Sequence, residues 1–396
     1  MSVPLDRLYY FLHDLCNHDV IIYHFYPHGS KKPESVKPLF AGTEASYFSV
    51  PVLCHDQEPL QFNEWLDVPD AFKIPGHPHS KFKLCINRFN TFDKMILVHS
   101  ELNSADVEKF KNDGAVPVYY WSHAIIANDW FRYAKYDQQL THKDIKNRFL
   151  IYNRAWQGSR EYRLKFADLL VDRGLLHNCQ TSFSPMDSGK HYTNHQFVNS
   201  AFAPNNANLE NYFPENLAPS WASADYTVED YQQTEIEVVL ETLFDDTRWH
   251  LTEKTLRAIA VGQPFILCAT PGSLQYLRSY GFETFDQCWD ESYDKIQNPL
   301  QRLNAVVDLM SNIQDSDIVL AKQIAKKNQE RFFSSAFEKQ VIDEFSTNIS
   351  SAIAEVKQSQ SCAYFLRYYN LASGFRKSVP EHIIQEIQKL AKNTNE

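Results

Sequence analysis

The stretch that most constrains the fold runs from Glu241 to Leu267 and has the pattern of a strand, a polar loop, a helix and a second strand. Thr252 is of the residue type that caps the first turn of a helix. The helix is predicted from Glu253 to Val261, with a buried stripe at i, i+3 and i+4, and Gly262 is placed to end it. Because α/β proteins bind phosphate where a polar loop enters a helix after a strand, this stretch predicts a phosphate site.

Composition narrows the class of protein. The chain has 396 residues, enough for two or three domains, and 43% of them are apolar. Its formal charge of −10 argues against a protein held on nucleic acid or an anionic membrane mainly by diffuse electrostatics. The seven cysteines form no CxxC pair, and no window approaches the length of a transmembrane helix. We therefore expect a soluble, cytoplasmic protein with no membrane partner, disulfide framework or structural zinc.

The apolar runs of the sequence predict two successive α/β blocks. In the first block the runs at 20–25, 47–53, 94–99 and 116–121 predict strands, and residues 104–112 predict a helix. Strand, helix and strand in about thirty residues form a βαβ unit, which implies a parallel pair.

The second block begins with a predicted strand at 148–153 and includes the 241–267 stretch. Residues 178–230 have uneven patterning and predict an irregular connection or insertion. A short strand is predicted at 283–285, and the chain is mostly helical from 299 onward.

The pattern as a whole predicts an α/β protein with two Rossmann-like domains facing a cleft, braced by helices at the C-terminal end. The predicted boundaries place an acceptor-side domain at 1–145, a nucleotide-sugar-binding domain at 146–335 and the bracing helices at 336–396. Further helices are predicted at 3–18 and 380–392.

Lys254 is the unexpected residue of the predicted helix. It lies in the first turn, where the helix dipole favours a carboxylate by roughly 0.3–1 kcal/mol and disfavours a cation. In the functional interpretation, Lys254 neutralises a diphosphate and Glu253 accepts hydrogen bonds from ribose hydroxyls. In the structural alternative, the first turn is solvated and the lysine extends into water.

A second polar loop follows the predicted strand at 148–153. Two arginines offer forked donors that suit phosphate oxygens, and a Gly-Ser pair between them permits close backbone approach. The candidate donor-binding residues are Asn153, Arg154, Gly158, Ser159 and Arg160. The alternative is an ordinary βα loop with arginines at the surface. Neither a Walker loop nor a GxGxxG pattern occurs in the chain.

Polar residues also follow the predicted strand at 47–53. His55, Asp56 and Glu58 are each of a type that can act as general base toward an acceptor hydroxyl. Polar residues at the carboxyl end of a strand are typical of a ligand-binding or catalytic site in α/β proteins. The alternative is a turn with a structural aspartate and a buried, hydrogen-bonded histidine.

An aromatic segment follows the predicted strand at 116–121 and is the candidate acceptor side of the site. Its tryptophan faces suit the stacking of a sugar or a base, and the alternative is an aromatic core helix. The candidate acceptor-side residues are Trp121, His123, Asp129, Trp130 and Arg132.

The 241–267 stretch resembles the nucleotide-sugar motif of the α1,3-fucosyltransferase-like glycosyltransferases. The matching residues are Glu241, Thr252, Glu253, Lys254, Ala258, Gly262 and Pro264. The resemblance implies the two-domain GT-B fold, a nucleoside-diphosphate sugar such as a UDP- or GDP-sugar, and catalysis with neither metal nor cofactor. It also implies that Lys254 and Glu253 contact the donor, as would Thr252 and the 153–160 loop. Arg248 stands where the family has a more aromatic loop, and we include it among the donor-binding candidates.

A wider likeness covers most of the chain. The segments VLCHDQEPL, ILVHSELNS and YYWSHAIIANDWFRYA are similar to glycosyltransferase-like proteins of large tailed phages. That group of phages includes enzymes that glycosylate hydroxymethylated cytosine. The likeness implies double-stranded DNA with a modified cytosine as an acceptor, and the host cytoplasm as the location.

The leading hypothesis is a hexosyl- or pentosyltransferase in which Arg154, Arg160 and Lys254 stabilise the leaving diphosphate. Asp56 or Glu58 is the base if the reaction inverts the anomeric centre, and a retaining reaction requires no such base. A second hypothesis keeps the chemistry but gives it a glycan or protein acceptor. A third is a non-catalytic carbohydrate-binding or virion protein with a decayed transferase fold.

Overall fold

The computed structural model describes residues 20–24, 37–38, 49–56, 58–65, 82, 92–132, 140, 142–153, 155–206, 208–213, 224–360 and 385. The helix expected at 3–18 lies outside these residues, as does all of 380–392 except residue 385. The chain divides into two compact units. We call residues 123–340 unit I, and we call the described residues 20–122 together with 341–360 unit II.

Unit II is built on a five-stranded sheet. Its strands are β1 (Val20–His24), β2 (Lys37–Pro38), β3 (Val50–Cys54), β4 (Met95–His99) and β5 (Ala115–Tyr119), in the order β2-β1-β3-β4-β5. The pairs β1–β3, β3–β4 and β4–β5 are parallel, and β2 is antiparallel to β1. The helix α1 (Ala105–Asn112) connects β4 to β5, so the predicted βαβ unit is confirmed.

Aromatic packing fills one face of the unit II sheet. Helix α1 buries Phe110, whose ring lies edge-on to Trp65 at 5.8 Å and to Phe82 at 5.2 Å. From Val341 onward, the long helix at the end of the described chain also belongs to this unit. Its Asn348 side chain donates a 2.9 Å hydrogen bond to the Tyr119 carbonyl at the end of β5.

Unit I is also organised around a parallel sheet. Its main strands are β6 (Asn147–Ile151), β7 (Cys179–Thr181), β10 (Thr234–Leu240) and β11 (Phe265–Cys268), and a two-residue hairpin joins β8 (Met186–Asp187) to β9 (Lys190–His191). The order is β11-β10-β6-β7, and each neighbouring pair is parallel.

Helices follow the strands through the rest of the described chain. They are α2 (Ser122–Phe131), α3 (Tyr162–Asp172), α4 (Val228–Gln232), α5 (Glu253–Val261), α6 (Ser273–Ser279), α7 (Pro299–Asn312), α8 (Asp315–Phe332) and α9 (Ser335–Gln358). The protein is therefore a mixed α/β protein with parallel sheets, as the pattern predicts. Every helix in the described part of the chain is too short or too polar to span a bilayer.

The connection between β7 and β10 is irregular, as predicted, and carboxylates organise much of it. Short 3-10 turns and the β8–β9 hairpin are its main regular elements among the described residues. The Asp168 carboxylate accepts hydrogen bonds from the backbone N–H groups of Asn205 and Asn206, at 2.8 and 3.0 Å. The Lys165 ammonium lies 2.7 Å from Asp168 and compensates its charge.

The strand predicted at 283–285 is wrong. The segment lies in a loop whose backbone N–H groups bind side chains instead of a neighbouring strand. Glu283 N–H donates to Asn328 Oδ1 at 2.9 Å, and Phe285 N–H donates to Glu291 Oε1 at 2.7 Å. Side-chain acceptors of this kind leave no periodic signal in the sequence.

Candidate functional site

The sheet of unit I has a switch in strand order between β6 and β10. After β6 the chain forms α3 and then β7 on one side of β6, whereas β10 and β11 lie on the other side. Ligands of open α/β sheets bind outside the carboxyl ends of the strands at such a switch. Two loops meet that edge, which we call the β6 loop (residues 152–161) and the β10 loop (residues 241–252).

Glu241 closes the β10 strand and holds the first turn of α5. Its buried carboxylate accepts hydrogen bonds from Thr252 N–H at 2.9 Å and Thr252 Oγ1 at 2.7 Å. It also accepts from Thr255 Oγ1 at 2.6 Å, Thr255 N–H at 3.4 Å and Thr242 N–H at 3.1 Å. The protein's own carboxylate thus occupies part of the positive end of the helix, so phosphate contacts there depend on side chains.

Lys254 lies within the site and does not extend into water. Its side chain is 13% exposed, and its Nζ lies 3.0 Å from Thr252 Oγ1 and 3.2 Å from Thr242 Oγ1. Nζ also donates to Glu253 Oε1 at 2.8 Å. The solvated first turn weighed as the alternative is therefore not what the structure has. The ammonium is held in place by oxygens from both the β10 loop and α5.

A histidine of α2 lies against Glu253 and packs on a second histidine. The Nε2 atom of His123, a residue of α2, lies 3.6 Å from Glu253 Oε2. The His123 ring is also edge-on to His250, with ring centroids 5.1 Å apart. Both histidines are buried. The structure therefore places the acceptor-side candidate His123 against the donor-binding candidate Glu253.

The remaining acceptor-side candidates are placed elsewhere. Trp121 is fully buried, which leaves none of its ring for stacking. Trp130 is half-buried near the end of α2. Asp129 and Arg132 form a 3.3 Å pair one helical turn apart, and Arg132 also lies 3.8 Å from Glu338.

The β6 loop is fixed by a carboxylate from the irregular connection. Asp187 accepts hydrogen bonds from the backbone N–H groups of Trp156 and Gln157, both at 2.8 Å. Gly158 then turns the chain with a φ of 67°, in the left-handed region that favours glycine, and open space lies beside it. Ser159 is exposed and Arg160 half-buried at the start of α3, and Arg154 lies outside the described residues.

Asn153, near the start of the β6 loop, is buried and does not reach the surface of the loop. Its side chain is 2% exposed, and Oδ1 accepts a 3.3 Å hydrogen bond from Arg163. Its backbone N–H donates to Ser182 Oγ at 2.7 Å. The Nδ2 atom has no hydrogen-bond partner among the described residues. Asn153 therefore supports the loop from inside.

Arg163 joins the two loops, a role that no pattern in the sequence indicated. The buried guanidinium donates to the carbonyls of Ala155 at 2.6 Å, Leu240 at 2.6 Å and Glu241 at 3.0 Å. Burial lowers the pKa of this guanidinium, and the charge of Glu241 acts in the opposite direction. A single side chain thus connects the β6 loop to the end of β10 and the start of the β10 loop through their carbonyl groups.

Replacing Arg163 by methionine is expected to destabilise unit I by about 3 kcal/mol, because three buried carbonyls lose a charged donor. The loss of stability should appear as a lower midpoint in urea unfolding and as faster amide hydrogen exchange in residues 153–157. Arg173, the exposed arginine that directly follows the same helix, provides the control, since its guanidinium contacts Asp308 and Asn304 at the surface of α7. Equal stability of Arg163→Met and Arg173→Met would contradict a linking role.

Arg248 is bound within the β10 loop. Its Nε atom donates to Asp246 Oδ1 at 2.9 Å, and its second terminal nitrogen donates to Asp246 Oδ2 at 2.6 Å. Partial burial acts to raise the pKa of Asp246, but the hydrogen bonds and charge of Arg248 outweigh it and hold the pKa below its ordinary value. Part of the Arg248 charge is therefore compensated within the loop.

The candidate bases lie at the carboxyl edge of the sheet in unit II. The Asp56 carboxylate is buried and accepts a short hydrogen bond from the Tyr120 hydroxyl, while its backbone carbonyl accepts from Ser100 Oγ at 2.7 Å and Ser122 Oγ at 2.6 Å. Asp56 thereby connects the ends of three parallel strands. His55 is also buried, and Glu58 is half-buried.

His99, at the end of β4, is buried and titrates far from its ordinary range. Burial lowers its pKa to about 4, an effect that a backbone hydrogen bond at Glu101 opposes and the charge of His55 reinforces. The imidazole is thus neutral at neutral pH.

We expect the His99 titration to make unit II less stable in acid. An unfolded histidine takes up its proton near pH 6.5, before the folded one does, so stability that is complete above about pH 6.5 falls until about pH 4. The full loss is about 3 kcal/mol. An NMR titration of the His99 ring should show the low midpoint, and His99→Asn should flatten the stability profile over this range. A midpoint near 6.5 would contradict this expectation.

Comparison with known proteins gives no match: no protein-family model, curated protein or solved structure is similar to this chain. Within the described residues, no group of three or more His, Cys, Asp and Glu side chains is arranged to hold a metal ion.

Proposed function

We propose that the protein is a glycosyltransferase that moves a hexosyl or pentosyl group from a nucleoside-diphosphate sugar to an acceptor hydroxyl. The observation that carries the proposal is the position of Lys254. A lysine in a first helical turn opposes the helix dipole, yet this one is largely buried at the switch in strand order. A bound anionic ligand would compensate the charge of this ammonium group and stabilise it at this position.

The carboxyl edge of the unit I sheet is suited to bind the leaving diphosphate. During transfer, the bond between the anomeric carbon and the diphosphate oxygen breaks, and the acceptor oxygen forms a new bond to that carbon. Negative charge then grows on the diphosphate, where the Lys254 ammonium and the Arg160 and Arg154 guanidiniums would stabilise it. Glu253, beside Lys254, would accept hydrogen bonds from the ribose hydroxyls.

The acceptor proton needs a base if the reaction inverts the anomeric centre. Asp56 or Glu58 would take it in that case. The Asp56 carboxylate accepts a hydrogen bond from the Tyr120 hydroxyl, and Glu58 is half-buried. The GT-B arrangement, with domains at 1–145 and 146–335 and bracing helices at 336–396, is part of this proposal.

The proposed acceptor is a hydroxymethylated cytosine in double-stranded DNA, which rests on the likeness to phage proteins alone. An enzyme acting on a base within a duplex must expose it, usually by flipping it out of the stack. The test is mass spectrometry of nucleosides from modified DNA incubated with the protein and sugar nucleotides. Transfer to a glycan or a protein, with no glycosylated nucleoside, would assign the other acceptor class.

A thermal-shift screen across nucleoside diphosphates and their sugars tests the donor. A ligand that binds the folded state stabilises it by RT ln(1 + [L]/Kd), which is about 2.7 kcal/mol at 100 times Kd. We expect a rise in melting temperature with one class of nucleotide. No shift with any nucleotide, together with a shift for free sugars, would overturn the proposal in favour of a carbohydrate-binding protein.

A further inference from the structure

Residues 195–199, which we call the 195–199 segment, are held against the start of α3. The Glu161 carboxylate, buried at the end of the β6 loop, binds His195 Nε2 at 2.7 Å. It also accepts from the backbone N–H groups of Val198 at 2.9 Å and Asn199 at 3.2 Å. Three hydrogen bonds to one buried carboxylate fix the position of a segment that has no regular secondary structure.

The same segment also contacts the β10 loop. Asn199 Nδ2 donates to Asp245 Oδ2 at 2.7 Å, while Asn199 Oδ1 accepts from the N–H of Ala201 at 3.0 Å. Through Glu161 and Asp245, the 195–199 segment bridges the two loops that form the candidate site. It is therefore a third side of that site, contributed by the irregular connection between β7 and β10.

The side chains that this segment presents are aromatic and apolar. The His195 ring lies edge-on to Trp156 of the β6 loop, with centroids 5.2 Å apart, and Phe197 lies edge-on to His195 at 4.9 Å. Val198 is 92% exposed although its backbone N–H is bound to Glu161. The segment thus places aromatic and apolar side chains against the β6 and β10 loops, which also carry or precede the proposed diphosphate contacts Arg160 and Lys254. A flat base joined to a diphosphate suits aromatic surface and cations in neighbouring loops.

We propose that the nucleobase of the donor stacks on Phe197, with Val198 at the rim of the base site. This inference deepens the proposed function and rests on it. Since base–aromatic stacking has a measurable effect in alanine substitutions, removal of the Phe197 ring weakens nucleotide binding by about tenfold. The contact acts on the base alone, so the binding of a ligand without a base is unaffected.

Titration calorimetry of three variants tests the inference, with GDP, UDP, ADP and inorganic pyrophosphate as probes. Phe197→Leu keeps an apolar side chain against His195 but removes the aromatic face, and Phe197→Tyr keeps that face. Asn194→Ala provides the control, because Asn194 is exposed and precedes the segment. The expected result is a tenfold weaker affinity of Phe197→Leu for the preferred nucleotide, near wild-type affinity for Phe197→Tyr and Asn194→Ala, and an unchanged affinity for pyrophosphate in all three.

Two other results overturn the inference in distinguishable ways. If the wild-type protein binds a nucleotide and Phe197→Leu binds it equally well, or if pyrophosphate affinity falls in parallel, the base does not stack on Phe197 and the proposed function still stands. If the wild-type protein binds none of the four probes, the proposed function and the inference both fail.

Discussion

Replacing Lys254 by alanine is expected to weaken the binding of a nucleoside diphosphate by about 30-fold. A charged hydrogen bond contributes about 2 kcal/mol in such a setting, which corresponds to that change in Kd. Because the ammonium would contact the diphosphate and not the base, the affinity for inorganic pyrophosphate should fall by a similar factor. Calorimetry with both ligands measures the two changes directly.

The fold should tolerate this substitution, since Lys254 contacts hydroxyl and carboxylate oxygens at the edge of the site and packs no core. Lys322→Ala provides the matched control. Lys322 is an exposed lysine of unit I that pairs with Glu235 near the opposite end of β10. Equal nucleotide affinity for wild type, Lys254→Ala and Lys322→Ala would remove the observation on which the proposed function depends.

The 241–267 stretch was predictable because its signals are local. Thr252 caps α5 because its Oγ1 accepts a hydrogen bond from the Lys254 N–H, and Gly262 ends the helix with a φ of 70°. Each signal involves residues within one turn of each other, where residue type determines backbone conformation. Most strands of the two sheets were predictable for a similar reason, since a short apolar run between polar loops describes a strand buried on both faces. The short strands β2 and β7 were not predicted, because neither has such a run.

The hydrogen bonds that hold the loops of the site in place were not predictable from the sequence. Arg163 reaches carbonyls that lie 8 and 77 positions away along the chain, and Glu161 binds the N–H of Val198, 37 positions away. A backbone carbonyl or N–H exists at almost every position, so such a contact has no sequence pattern. The segment 178–230 could be recognised as irregular, but the fold of its described part depends on these contacts.

Glu241 was recognised from the sequence, but its structural role was not. Glu241 matched a motif in the sequence, yet the resemblance gave it no role. In the structure its carboxylate binds five donors around the first turn of α5, and its backbone carbonyl accepts from both Arg163 and Tyr162. The position of Lys254 therefore depends on a residue that need not contact any ligand.

Replacing Glu241 by alanine is expected to destabilise unit I by about 4 kcal/mol, because buried N–H and hydroxyl donors lose a charged acceptor. Glu241→Gln keeps the shape but not the charge, so it should lose about half as much. Hydrogen exchange over residues 234–262 measures the effect locally, with Glu235→Ala as the control on the same strand. Glu235 is half-buried and makes ion pairs of 3.8 Å with Arg148 and 3.2 Å with the exposed Lys322, and pairs with an exposed partner contribute about 1 kcal/mol or less. If the two alanine variants exchange at the same rate, the carboxylate does not hold the helix, and the position of Lys254 must have another cause.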